Sequence, residues 1–122
     1  YSGIPVAVSA AIAVQKIFEK EDIFNRVKKL SSYFEDGLHS LKDLSCIDSI
    51  RNYGLLGGID ISMRDKPGKA GFNVYKKCYD AGVNIKPTGD ALIIAPPFIC
   101  EKKGIDELIE KMRKGITNHL KS

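Results

Sequence analysis

The chain has 122 residues, 43% of them hydrophobic and punctuated by turn-forming glycine and proline, which suits one compact domain with a modest core. Its 19 basic and 15 acidic residues give a formal net charge of +4. The signs are mixed along the sequence, as in Glu19-Lys20-Glu21-Asp22 and Glu101-Lys102-Lys103, so they read as solvated surface and argue against a nucleic-acid footprint.

The chain opens on tyrosine rather than an initiator methionine, and its first residues already read as a helix start, so further chain is expected before it. Ser2-Gly3 ahead of Pro5 suits a first helical turn, where the missing proline N–H is not needed. A helix is expected to run from there to about Lys20. Its Ala7, Ala10, Ala11, Ala13 and Val14 are small and apolar on more than one face, which calls for close packing against other protein. Residues 4–17 are interrupted by Ser9 and Gln15 and are too short to cross a bilayer, and no basic region precedes them to make a signal peptide.

From Ile23 to Leu41, apolar residues Ile23, Val27, Leu30, Phe34, Leu38 and Leu41 recur every three or four positions, the mark of a second, amphipathic helix. Between Cys46 and Ser62 the pattern turns to β-type, with Ile47, Ile50, Leu55, Leu56, Ile59 and Ile61 broken by Tyr53-Gly54 and Gly57-Gly58; two short strands or one kinked strand fit it. Arg64-Asp65-Lys66-Pro67-Gly68 is a polar turn. A third helix is expected from Lys69 to Asp80, with Phe72, Tyr75 and Cys78 or Tyr79 facing inward and Gly82 past its C-terminus. Residues 83–86 and 91–95 then form a strand pair around Pro87-Thr88-Gly89-Asp90, ended by Pro96-Pro97. In the last helix Ile105, Leu108, Ile109, Met112, Ile116 and Leu120 mark one face. The order implies an α/β fold of the α+β type, a two-layer sandwich whose small, mainly antiparallel sheet carries its helices mainly on one face.

Catalytic machinery is sparse. His39 lies on the polar flank of its helix, and His119 suits the negative end of the last one. The three cysteines, Cys46, Cys78 and Cys100, are odd in number and widely spaced, so they suggest neither a disulfide framework nor a zinc knuckle and fit a reduced, cytoplasmic setting. No spacing of His, Cys and carboxylates suggests a metal. Gly54-Leu55-Leu56-Gly57-Gly58 lacks the helix and Lys-Ser/Thr of a phosphate loop. Two segments stand out. Tyr1-Ser2-Gly3-Ile4-Pro5 offers a hydroxyl and backbone N–H groups at a helix start, where an anion can be received, although an ordinary cap has the same composition. Lys86-Pro87-Thr88-Gly89-Asp90 sets a cation at a strand end beside a rigid turn, in position to face a carboxylate, although a surface lysine reads the same way.

These segments, with Tyr33-Phe34-Glu35-Asp36-Gly37-Leu38-His39-Ser40-Leu41, Ile50-Arg51-Asn52-Tyr53-Gly54-Leu55-Leu56-Gly57-Gly58-Ile59 and Ala95-Pro96-Pro97-Phe98, keep an order and spacing that spans essentially the whole chain. In that order they resemble the C-terminal part of the class III aminotransferases of the ω-amino acid:pyruvate type. The resemblance implies the small domain of a fold-type I pyridoxal-phosphate enzyme. The parent would be a homodimer with active sites at the subunit interface, moving an amino group between an ω-amino acid or amine and pyruvate or another α-keto acid. The cofactor would be held as a Schiff base by a lysine of a large domain upstream of Tyr1. Residues 1–20 would be an interdomain helix, and this chain alone would hold no catalytic residue, bind no cofactor tightly and be inactive.

Two departures bear on the site. In the family a threonine just before the position of Tyr1 reaches a neighbouring cofactor phosphate, so Tyr1 and Ser2 flank that contact. At Lys86 the family usually has an arginine that pairs with the substrate carboxylate; lysine supplies the charge without the planar fork. A non-catalytic fragment of a split or decayed aminotransferase gene, acting at most as an interaction module, is the alternative.

Overall fold

Pro5 takes the first turn of α1 (Pro5–Lys20), after Ile4 in extended conformation. The computed structural model describes residues 2–62 and 66–121. After α1 come α2 (Ile23–His39) with a 3-10 turn over Ser40–Asp43, then β1 (Ile47–Tyr53), β2 (Leu56–Ile61), α3 (Lys69–Asp80), β3 (Lys86–Thr88), β4 (Ala91–Ile94) and α4 (Lys102–Leu120). The second helix thus ends at His39, and Leu41 of the expected stripe reaches the core from the tighter turn beyond it.

The four strands form one antiparallel sheet in the order β1-β2-β4-β3. Both hairpins close through two-residue turns, Gly54-Leu55 and Gly89-Asp90, and in each the glycine has positive φ, +55° and +60°, as primed hairpin turns require. The stretch between Cys46 and Ser62 is therefore two strands, and its bend is the Gly54 turn. Gly57 and Gly58 lie inside β2 and keep register with β1 and β4. Gly57 is needed for another reason: a Cβ there would stand 2.6 Å from Leu38 Cδ2 and 3.2 Å from Phe34 Cζ. The last hairpin begins later than its apolar residues suggest, at Lys86, because residues 83–85 lead in from α3 without pairing.

Alternation along β2 and β4 sends Ile59, Ile61, Leu92 and Ile94 to one side, where they meet Phe34 and Leu38 of α2, Val74 and Cys78 of α3, and Ile105, Met112 and Ile116 of α4. Each of the large side chains in this cluster contributes roughly 1.5–3 kcal/mol by leaving water. On α3 the inward residues are Ala70, Val74 and Cys78, with Tyr75 half-buried; of the alternatives Cys78 and Tyr79 it is Cys78 that faces inward, while Phe72 points outward, contrary to the helix-face expectation. At position 78 the reason is α4, which crosses so closely that a Cβ on Gly115 would lie 2.7 Å from Cys78 Cα, a gap that admits a small side chain and no ring.

α1 stands apart. None of its residues is buried, and residues 2–17 are all exposed, among them Val6 (79%), Ile12 (53%) and Ile17 (49%). It holds to the rest through Phe18, whose ring meets Phe24 edge-on at 5.4 Å and Phe98 at 6.1 Å. Asp22, with φ +50°, turns the chain from α1 into α2. Among the described residues no helix is long and apolar enough to cross a membrane.

Candidate functional site

The helices occupy one face of the sheet, so side chains on the other face are left open to whatever lies beyond. Pairing defines that face row by row. Lys86 sits opposite Ile93, Ile93 opposite Gly58, and Gly58 opposite Arg51; the next row runs Thr88, Ala91, Asp60, Ser49. Strands spaced about 4.8 Å apart put roughly 14 Å between the backbones of Lys86 and Arg51. Arg51 lies back over Gly58, where a Cβ would meet its guanidinium carbon at 3.4 Å, and its Nη1 and Nη2 donate to Asp60 Oδ2 and Oδ1 at 2.5 and 3.1 Å. The guanidinium, with help from the Ser49 hydroxyl, holds the Asp60 carboxyl below the usual carboxylate range. Arg51 is thereby committed to Asp60, which leaves Lys86 as the cation of its row. Lys86 is exposed, at the start of the edge strand, and borders an open depression with Tyr75, Asn84, Pro87, Ile93 and Ala95.

The turn next to Lys86 is fixed from below by α3. That helix has no side-chain cap of its own. Instead Asp90, from the β3–β4 turn, accepts hydrogen bonds from the amides of Gly68 at 2.8 Å and Gly71 at 3.1 Å, one through each carboxylate oxygen. These amides are at the positive end of the α3 dipole, and they hold the Asp90 carboxyl below its ordinary value. Asp90 also accepts, through its backbone carbonyl, the amide of Ile61 at 2.8 Å. The fit is tight: a Cβ on Gly71 would come within 2.3 Å of Gly89 O and 2.9 Å of Asp90 Cα.

Of the residues singled out from sequence, Lys86 is exposed at the start of β3, on the open face of the sheet. Ser2 is exposed at the free end of α1, which at 16 residues is about 24 Å long. The end docked to the body is the other one, so the chain does not bring Ser2 and Lys86 together. Tyr1 lies outside the described residues. Sequence reasoning misses Asp90 and the Arg51–Asp60 pair. The capping carboxylate comes from 22 residues away in sequence, so no local motif announces it; the ion pair follows only once the Gly54-Leu55 turn sets the register.

The remaining candidates have structural roles. His39 Nε2 lies 3.2 Å from Asn52 Oδ1, linking α2 to β1. Burial pushes the Cys78 thiol up to about 12, which disqualifies it as a nucleophile near neutral pH. Among the described residues no group of His, Cys and carboxylates could hold a metal ion. They also fail to make a holder for a pyridoxal ring. Such a holder needs a sequestered lysine and a buried carboxylate facing the ring nitrogen, whereas no charged or polar side chain among them is buried.

The family model described as aminotransferase class III matches residues 1–116. An omega-aminotransferase of Caulobacter vibrioides is 36% identical over 115 residues, which cover 93% of this chain and 26% of the relative. An omega-amino acid–pyruvate aminotransferase of Pseudomonas putida is 33% identical, covering 90% of this chain and 25% of the relative. The crystal structure of the adenosylmethionine-8-amino-7-oxononanoate aminotransferase of Methanocaldococcus jannaschii superposes with a TM-score of 0.82 at 30% identity, over 90% of this chain and 27% of that one. The chain therefore spans about a quarter of the length of the relatives it matches.

Proposed function

Because the chain belongs to the class III aminotransferases, we propose that it works as the C-terminal small domain of a longer pyridoxal-phosphate-dependent transaminase, one that moves an amino group between an ω-amino acid or amine and pyruvate or another α-keto acid. The observation that carries the reading is the placement of Lys86, an exposed cation on the sheet face that no helix among the described residues covers. The names of the Caulobacter and Pseudomonas relatives support the substrate class.

In this reading the division of labour follows from what the chain has and lacks. The cofactor would supply the electron sink for moving the amino group, and its holder is placed in the large domain of the longer polypeptide. This chain provides one wall of the substrate site. Lys86 draws the carboxylate of the amino donor or keto acid by a single charge-assisted contact, without the two parallel hydrogen bonds an arginine would make. The apolar surface of α1 packs against the large domain and connects it to this one. Ser2, ahead of α1, with Tyr1 before it in the sequence, flanks the cofactor phosphate of the assembled homodimer.

The reading is tested with the longer polypeptide, loaded with pyridoxal phosphate. It is expected to transfer the amino group of β-alanine to pyruvate, while the 122-residue chain alone neither does so nor changes the absorbance of added cofactor. A folded, loaded polypeptide without turnover on any ω-amino acid or amine would overturn it, and would favour the non-catalytic module.

A further inference from the structure

We infer that Asp90 is a positioning residue for the substrate carboxylate: by gripping the Gly68 and Gly71 amides it clamps the β3–β4 turn to the head of α3 and so fixes where Lys86 is presented. The inference rests on the proposed carboxylate role of Lys86 and deepens it.

Lys86 is part of a three-residue edge strand, paired on one side only, to β4. An edge strand this short, on a hairpin exposed at Thr88 and Gly89, has little of its own to hold it in place. Its far strand, β4, is locked in by Leu92 and Ile94, both inside the core. Its turn is locked by Asp90. Both carboxylate oxygens of Asp90 are used, on amides that α3 leaves without partners, and the main chain of the same residue is tied to Ile61 of β2. One residue therefore joins the turn to a helix and to the central sheet. The absence of any side chain on Gly71 is what lets the turn approach, given the 2.3 Å that a Cβ would leave to Gly89 O. The arrangement is costly to keep for packing alone. It requires glycine at positions 68, 71 and 89, two of them at positive φ, and glycine inside a helix weakens it. Its geometric result is a rigid base under the residues that carry Lys86.

The test uses D90A, D90N, G71A and K86A in the cofactor-loaded longer polypeptide. Two donors are compared in single-turnover amine half-reactions: β-alanine, and propylamine, which lacks the carboxylate. Amide hydrogen exchange at Gly68 and Gly71 is read in parallel. D90A is expected to raise the half-saturating concentration of β-alanine at least about tenfold while leaving propylamine within about twofold, since misplacing a binding group by even 1 Å is expensive. D90N, which keeps one acceptor, is expected to fall between D90A and the parent. G71A, which pushes the turn away with Asp90 intact, is expected to follow D90A. Exchange at Gly68 and Gly71 speeds up in D90A. Equal effects on both donors would make Asp90 a plain helix cap, and unchanged exchange would mean that it holds neither amide; either result overturns the inference. If K86A itself leaves the preference for β-alanine unchanged, the carboxylate reading is what has failed and the inference falls with it, while the exchange data still report whether the clamp exists.

Discussion

Single residues differ sharply in how much depends on them. Asp90 makes the end of α3 sensitive to acid. Its pKa is lowered in the folded chain by the Gly68 and Gly71 amides, so its stabilising contribution is present above the ordinary aspartate value near 3.9 and is lost as pH falls through the lower folded value. A carbon-13 titration of the Asp90 carboxyl is expected to show a midpoint below that of an unstructured aspartate, with protection of the Gly68 and Gly71 amides, relative to their intrinsic exchange rates, falling over the same range. An unshifted midpoint would remove the clamp. The cysteines give a second prediction at this scale. Cys78 is fully buried, with a thiol pushed up to about 12, whereas Cys100 is half-buried at the start of α4. A thiol reagent at about pH 8 is expected to label Cys100 in the native chain and spare Cys78 until denaturant is added. Arg51 and Asp60 pair at 2.5 Å, but with side chains 60% and 38% exposed the pair is screened by water and contributes little to stability.

Between elements, the closest approach is that of α3 and α4 at Gly115. Gly115→Ala puts a methyl against Cys78 backbone atoms, at 2.7 Å from Cα and 2.8 Å from N, and neither can rotate away. The helices must part, at a cost of about 1–3 kcal/mol, measurable as a lower urea midpoint. α1 yields the opposite kind of prediction. With Val6, Val8, Ile12 and Val14 at 45–79% exposure, the isolated chain is expected to associate and bind a hydrophobic dye, and Val6→Glu with Ile12→Glu to return it to a monomer. Sedimentation showing a monomer for the unaltered chain would contradict this. Existence and type of element are legible from sequence because the apolar periods of α2 and α4 are long and regular. What is not legible depends on contacts between elements. The inner face of α3 differs from expectation at Phe72, and the choice of Cys78 over Tyr79 is made by the narrow gap that α4 leaves, which admits a thiol and no ring.

The whole molecule is a sheet with a covered face and an open one, joined to a helix that its own body does not cover. Its antiparallel α+β layering is readable in the order of elements, and the family in several segments kept in register. The site is readable in part. As a candidate, Lys86 stands out because a cation beside Pro87-Thr88-Gly89 is conspicuous, whereas Asp90 depends on a tertiary contact no sequence window contains. Both the open face and bare α1 accord with a domain that is one wall of a larger enzyme, and the charge at position 86 is where that account is most exposed. The decisive measurement is a charge series at Lys86 in the cofactor-loaded longer polypeptide, reading the half-saturating concentration of β-alanine against propylamine. Lys86→Arg, which adds the fork, is expected to keep or tighten β-alanine, and Lys86→Ala to weaken it roughly tenfold or more with propylamine unmoved. Identical behaviour of the arginine, lysine and alanine forms toward both donors would contradict the account.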